Sequence, residues 1–99
     1  MRFTDKIKQL RIQNNYPQRK VAAILEIDTA TYSKIENGFR KASKAQVFVI
    51  AKFFKIDAKE LINLWTADKV YNIISGDCDV NKVFRYVSES IKEYRKVNN

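Results

Sequence analysis

The apolar positions recur at helical spacing, in blocks separated by very few breakers. Ile7, Leu10 and Arg11 share a face of a segment that Thr4 can cap and that runs to about Asn14. Asn14-Asn15 supplies the stop, since Asn tolerates the left-handed conformation at a helix end. Tyr16-Pro17 imposes an extended connection, and Pro17 suits the first position of a second helix with Val21, Ala22 and Leu25 as its inward stripe. Asp28 caps a third short helix, with Tyr32 and Ile35 pointing inward and Asn37-Gly38 ending it. Ser43 caps a fourth. There Val47-Phe48-Val49-Ile50 has strand composition, but Val47, Ile50, Ala51 and Phe54 keep the i, i+3, i+4, i+7 pattern of a helix. Phe48 and Phe53 fall off that stripe. They are expected to broaden its core face, with a partner surface as the alternative.

Asp57-Ala58-Lys59-Glu60 is a capping-box pattern, with Asp in place of Ser or Thr, opening a fifth helix. That helix carries Leu61, Leu64 and Trp65 and has nothing to break it before Gly76, so it is free to run on through Val70, Tyr71 and Ile74. Asp77 or Asp79 caps the last helix. Its apolar residues Val80, Phe84, Val87, Ile91 and Tyr94 are spaced four, three, four, three, with Lys82, Arg85, Glu89, Lys92 and Glu93 between them. This is heptad spacing. Two heptads fit a helix–helix seam between copies and also a helix packing on its own domain.

Composition narrows the chemistry. Ninety-nine residues make one domain, or a small domain with an appendage. Two glycines and one proline leave little loop punctuation and exclude a Gly-rich phosphate cradle. The expected class is all-α. With no histidine there is no histidine general base or metal ligand, and the single cysteine, Cys78, can form neither an internal disulfide nor a Cys-rich zinc site. A reducing, cytoplasmic setting is expected. The start lacks the apolar run of a signal peptide, and no stretch approaches the roughly 20 apolar residues of a membrane span. No cofactor, metal, small-molecule ligand or membrane partner is evident, and catalysis has no plausible nucleophile or clustered acid pair to rest on.

The net charge of +8 is unevenly placed. Up to Asp57 there are twelve basic residues against five acidic ones, whereas from Ala58 onward seven stand against six. A basic part beside a nearly neutral part is the electrostatic pattern of a polyanion-binding unit joined to a segment with another task.

The second and third helices, joined by Glu26-Ile27, have the layout of a helix-turn-helix. The stretch Ile7-Lys-Gln-Leu-Arg11, then Gln18-Arg-Lys-Val-Ala22, then Asp28 to Ile35-Glu36-Asn37-Gly38, resembles the lambda-repressor-like (XRE) helix-turn-helix family. The likeness covers roughly Lys6 to Leu64. It implies a five-helix DNA-binding domain over residues 1–65, with residues 66–99 as a helical extension. It also implies that Arg11 and Glu36 pair and tie two helices together, that Ala22 is small to admit the recognition helix, and that Tyr32 and Ile35 anchor that helix. Gln18 would meet a phosphate or brace a recognition side chain. Thr29, Ala30 and Lys34 would face bases, with Thr31 and Ser33 at phosphates or base edges. Arg40, Lys41 and Lys44, with the N–H groups of their loop, would meet the DNA backbone.

Three positions depart from the family pattern. Glu26 stands where Gly is usual in the turn, Pro17 where a Ser/Thr-type cap is common, and the aromatic Phe39 at a usually polar loop site, where burial by the tail, a dimer interface and contact with deoxyribose are all open. Such domains generally act as dimers on paired half-sites, and Val80, Phe84, Val87, Ile91 and Tyr94 are the candidate dimer interface. The expected function is a sequence-specific regulator of double-stranded DNA, resembling those of phages, mobile elements and restriction–modification systems. The competing reading is an antitoxin whose C-terminal helices neutralise a toxin.

Overall fold

The computed structural model describes residues 1–74 and 76–98, and every regular element among them is an α-helix. In chain order these are α1 (Phe3–Gln13), α2 (Gln18–Ile24), α3 (Thr29–Glu36), α4 (Lys44–Phe54), α5 (Ala58–Ile73) and α6 (Val80–Asn98). They belong to two compact units, Met1–Lys69 and Val70–Asn99, with the boundary falling inside α5.

Local capping chemistry sets most of the helix starts. Asp28 Oδ1 accepts from the Thr31 N–H at 2.6 Å at the head of α3. Ser43 and Gln46 exchange reciprocal bonds of 3.1 and 2.9 Å at the head of α4, a full capping box. Asp57 accepts from the Lys59 N–H at 3.0 Å, and Asp79, not Asp77, caps α6 through the Lys82 N–H at 3.2 Å.

The start of α1 differs from expectation. Thr4 lies inside the helix and Arg2 is the N-cap, its N–H donating to Asp5 at 3.2 Å. The N–H of Phe3 is satisfied by Asp68 at 3.3 Å, and Asp68 also pairs with the Arg2 guanidinium at 3.2 Å. A carboxylate on α5 thus does what a local hydroxyl was expected to do. Pro17 likewise sits at the N-cap of α2 and not at its first helical position, and contributes no side-chain cap.

The core of the first unit gathers Phe3 and Ile7 of α1, Val21 and Ala22 of α2, Tyr32 and Ile35 of α3, Val47, Ile50 and Ala51 of α4, and Leu61 of α5. Phe48 does not join it: the ring is exposed on α4, because the buried face of that helix is only as wide as Val47, Ile50 and Ala51. Phe53 is half-buried, its ring 5.5 Å from Tyr16 and 5.0 Å from Phe54. The Trp65 indole donates to the Ala42 carbonyl at 2.9 Å, which fastens α5 to the loop before α4, and its ring carries the Lys69 ammonium of the same helix 3.5 Å away.

Glu26 keeps the left-handed conformation, with φ at 57°. For a residue with a Cβ this costs roughly 1–2 kcal/mol, part of which glycine would return as lost chain entropy. Glu26→Gly is therefore expected to raise stability by about 0.5–1 kcal/mol, read as a higher midpoint in urea unfolding. An unchanged or lower midpoint would show that the Glu26 side chain has a stabilising role that offsets its backbone strain.

In the second unit, the end of α5 leads through Gly76, at φ +73°, into α6. Ile74 and Val83 are half-buried there. Val80, Phe84, Val87, Ile91 and Tyr94 are all exposed, as is the rest of α6 up to Val97 apart from Val83.

Candidate nucleic-acid interface

Helix α3 is held by α2 and α1. The turn between α2 and α3 closes with bonds from Glu26 N to Ala23 O and from Ile27 N to Ala22 O, each 3.1 Å, and buried Ala22 leaves α3 room to pack closely. On the inward side of α3, Tyr32 and Ile35 fill the core.

At its last turn, Glu36 meets Arg11 in a fork of two bonds, Nε to Oε2 at 2.9 Å and Nη2 to Oε1 at 2.7 Å. The remaining edge of the guanidinium donates to the Tyr16 carbonyl at 2.9 Å, and the Gln18 amide approaches Glu36 Oε1 at 3.4 Å. The Glu36 side chain is 1% exposed and that of Arg11 15%. Burial pushes the Glu36 carboxyl upward, but the hydrogen bonds and charge of Arg11, together with the neighbouring Tyr32 and Gln18 side chains, outweigh it, so it titrates below the usual range. The same pairing raises Arg11. The Tyr32 hydroxyl is buried beside this carboxylate but makes no hydrogen bond of ordinary geometry. Burial and the neighbouring negative charge push its ionisation well above the usual phenol range.

The outer side of α3 presents Thr29, Ala30 and Lys34 as exposed residues, with Thr31 and Ser33 half-buried at its margins. Ser33 Oγ accepts from the Asn37 amide at 3.3 Å. Asp28, the acid at the head of the helix, is held below the usual carboxylate range mainly by the Thr31 bonds, and further by the charges of Lys34 and Arg40. Both cations therefore lie within electrostatic reach of the exposed end of α3.

The loop after α3 narrows one expectation. Several of its backbone N–H groups are already engaged within the chain. Gly38 N donates to Ile35 O at 3.2 Å, Phe39 N and Arg40 N both donate to Lys34 O at 2.8 and 3.2 Å, and Ser43 N is taken by Gln46. The last carbonyls of α3 claim the first three of these donors, as helix ends commonly do. What the loop offers outward is its side chains: Arg40, Lys41 and Lys44 are exposed, and so is Phe39.

Gln18 begins α2 half-buried, turned toward Glu36, and Arg19 beside it is exposed. Arg19 adds a cation next to the start of α2 that the family motif did not single out. Its only signal in the sequence is its place directly after Gln18. Among the described residues no group of three or more acidic or Cys side chains gathers as metal ligands, and no helix is long and apolar enough to cross a membrane.

Comparison with known proteins agrees with this arrangement. Residues 7–61 match the family described as helix-turn-helix. The HTH-type transcriptional activator BcrR of Enterococcus faecalis is 30% identical over 95 residues, an alignment covering 84% of this chain and 47% of that protein. The chain thus spans about half the length of the curated relative it matches. No solved structure matches it significantly. With its six described helices, its α2–turn–α3 unit and the match over residues 7–61, the chain belongs to the lambda-repressor-like (XRE) helix-turn-helix family of DNA-binding transcription regulators.

Proposed function

We propose that the chain is a sequence-specific regulator of double-stranded DNA that binds as a homodimer to paired half-sites in a promoter. What supports this most is one observation: α3 stands with Thr29, Ala30 and Lys34 exposed, and the loop that follows it carries Arg40 and Lys41 outward. In this reading Lys34 donates to guanine O6/N7 and Ala30 or a Thr29 methyl touches a thymine methyl. Thr31 and Ser33 serve the margins. Gln18, Arg40, Lys41 and Lys44 hold phosphates and set the register without reading sequence. The Arg11–Glu36 pair fixes the angle of α3 that all of these contacts require.

Dimerisation is assigned to α6, whose Val80, Phe84, Val87, Ile91 and Tyr94 form an exposed stripe at heptad spacing. The named function of the Enterococcus relative favours regulation of transcription, and activation as its direction, over the antitoxin reading. The operator setting is proposed to be of phage, mobile-element or restriction–modification controller type, acting in the cytoplasm without a cofactor.

Two substitutions separate reading from holding. Lys34→Ala is expected to weaken the best site by roughly 1–3 kcal/mol and to relax base preference at one position. Lys44→Ala is expected to weaken all duplexes alike and to reduce the salt slope by about one. Binding measured across salt concentrations on matched and single-mismatch duplexes checks both. Unchanged base preference in Lys34→Ala would overturn its assignment as a reading residue.

A further inference from the structure

We infer that Phe39 is a DNA-contacting residue whose ring packs on deoxyribose at the rim of the groove that α3 enters; the inference rests on the proposed function and deepens it. Phe39 is 85% exposed, more than any other large apolar side chain of the described residues. Nothing in its own unit uses its apolar surface. Its position is nonetheless fixed. Gly38 turns the chain at φ +84°, and the N–H groups of Phe39 and Arg40 both donate to the Lys34 carbonyl, at 2.8 and 3.2 Å. The ring is therefore attached to the last turn of the recognition helix and moves with it.

A recognition helix meets base edges with its N-terminal residues. Its C-terminal end then rises to the rim, where the duplex presents phosphates and sugars. Arg40 and Lys41 follow Phe39 directly, and Lys44 opens α4. Those three cations suit phosphates, and the deoxyribose between phosphates is the apolar surface that such a rim offers a ring. Charge also disfavours a second copy as the occupant. Two copies meeting through Phe39 would bring Arg40 and Lys41 of each against their counterparts, a like-charge contact that only a polyanion relieves.

The test uses the full chain and the tightest duplex recovered from a random library. Phe39→Ala is expected to weaken binding about 5- to 30-fold, in keeping with the loss of one buried aromatic contact. Its salt slope, sedimentation mass and melting temperature should match the wild type, because no phosphate contact, subunit contact or core contact is lost. Phe39→Leu should recover most of the affinity. Affinity within twofold of wild type in Phe39→Ala would overturn the inference, as would a loss that tracks dissociation of a dimer. A bend in the wild-type complex that disappears with the ring would also overturn it, since it would mark a wedge between base pairs and not sugar packing. If the wild type binds no duplex at all, the parent reading has failed, and that outcome is separate from the behaviour of Phe39.

Discussion

Glu36→Ala should lower the melting temperature of the first unit by about 12–24 °C, the consequence of roughly 3 kcal/mol lost on breaking a buried ion pair in a domain of this size. The forked Arg11–Glu36 contact, at 2.7 and 2.9 Å, is the one ion pair among the described residues with a fully buried member. The two ways of breaking it are not equivalent. Without Glu36, the Arg11 guanidinium keeps the Tyr16 carbonyl and a 15% exposed edge, so its charge retains some solvation. Without Arg11, the Glu36 carboxylate is left buried beside the 3.4 Å Gln18 contact. Arg11→Met is thus expected to be the more costly change at neutral pH.

The pH dependence has opposite signs in the two proteins. In the wild type the folded Glu36 titrates below its unfolded value, so its contribution is present above the ordinary glutamate range near about 4.3 and is lost as pH falls through the lower folded value. In Arg11→Met burial, the largest single influence on Glu36, is opposed only by the Tyr32 and Gln18 side chains, so the folded value is expected to rise and stability to be regained as the solution is acidified toward about pH 4. Thermal melts at pH 7 and pH 4 check both statements. A Glu36→Ala midpoint within error of wild type would reduce the pair to a surface contact of little worth.

The second large effect concerns α6. Replacing both Phe84 and Ile91 with Glu should convert the proposed dimer to a monomer by sedimentation and weaken binding to a paired site by about 100-fold or more, because the second half-site is no longer engaged intramolecularly. Phe84 is 49% and Ile91 44% exposed, and both lie outside Met1–Lys69, so the melting of the first unit should not change. An unaltered sedimentation mass would remove α6 from the dimer interface.

How much of this was legible in the sequence differs from element to element, for identifiable reasons. The caps at Asp28 and Ser43 were readable because a helix start of that kind is decided within four residues. The inward placement of Tyr32 and Ile35 followed from helical spacing. The start of α1 was misjudged because its partner, Asp68, lies 65 residues from Phe3. Phe48 was expected in the core because composition speaks for burial, whereas the width of the face that α4 presents is set by its neighbours. The capture of the Gly38, Phe39 and Arg40 N–H groups by Ile35 and Lys34 depends on a reversal at Gly38 that composition does not disclose. In Glu26 the departure from glycine was visible but its outcome was not: the packing of α3 on α2 holds the left-handed turn despite the side chain. The heptad spacing of α6 is equally plain in the sequence, while the exposure of its residues requires the structure.

The central claim is that α3 reads a specific duplex sequence and that two copies read it together. Selection of binding sites by the full chain from a pool of random duplexes tests this most directly. The account predicts enrichment of two inverted copies of one short half-site, with centres about 10 base pairs or one helical turn apart. A pool that remains random after repeated rounds would contradict it.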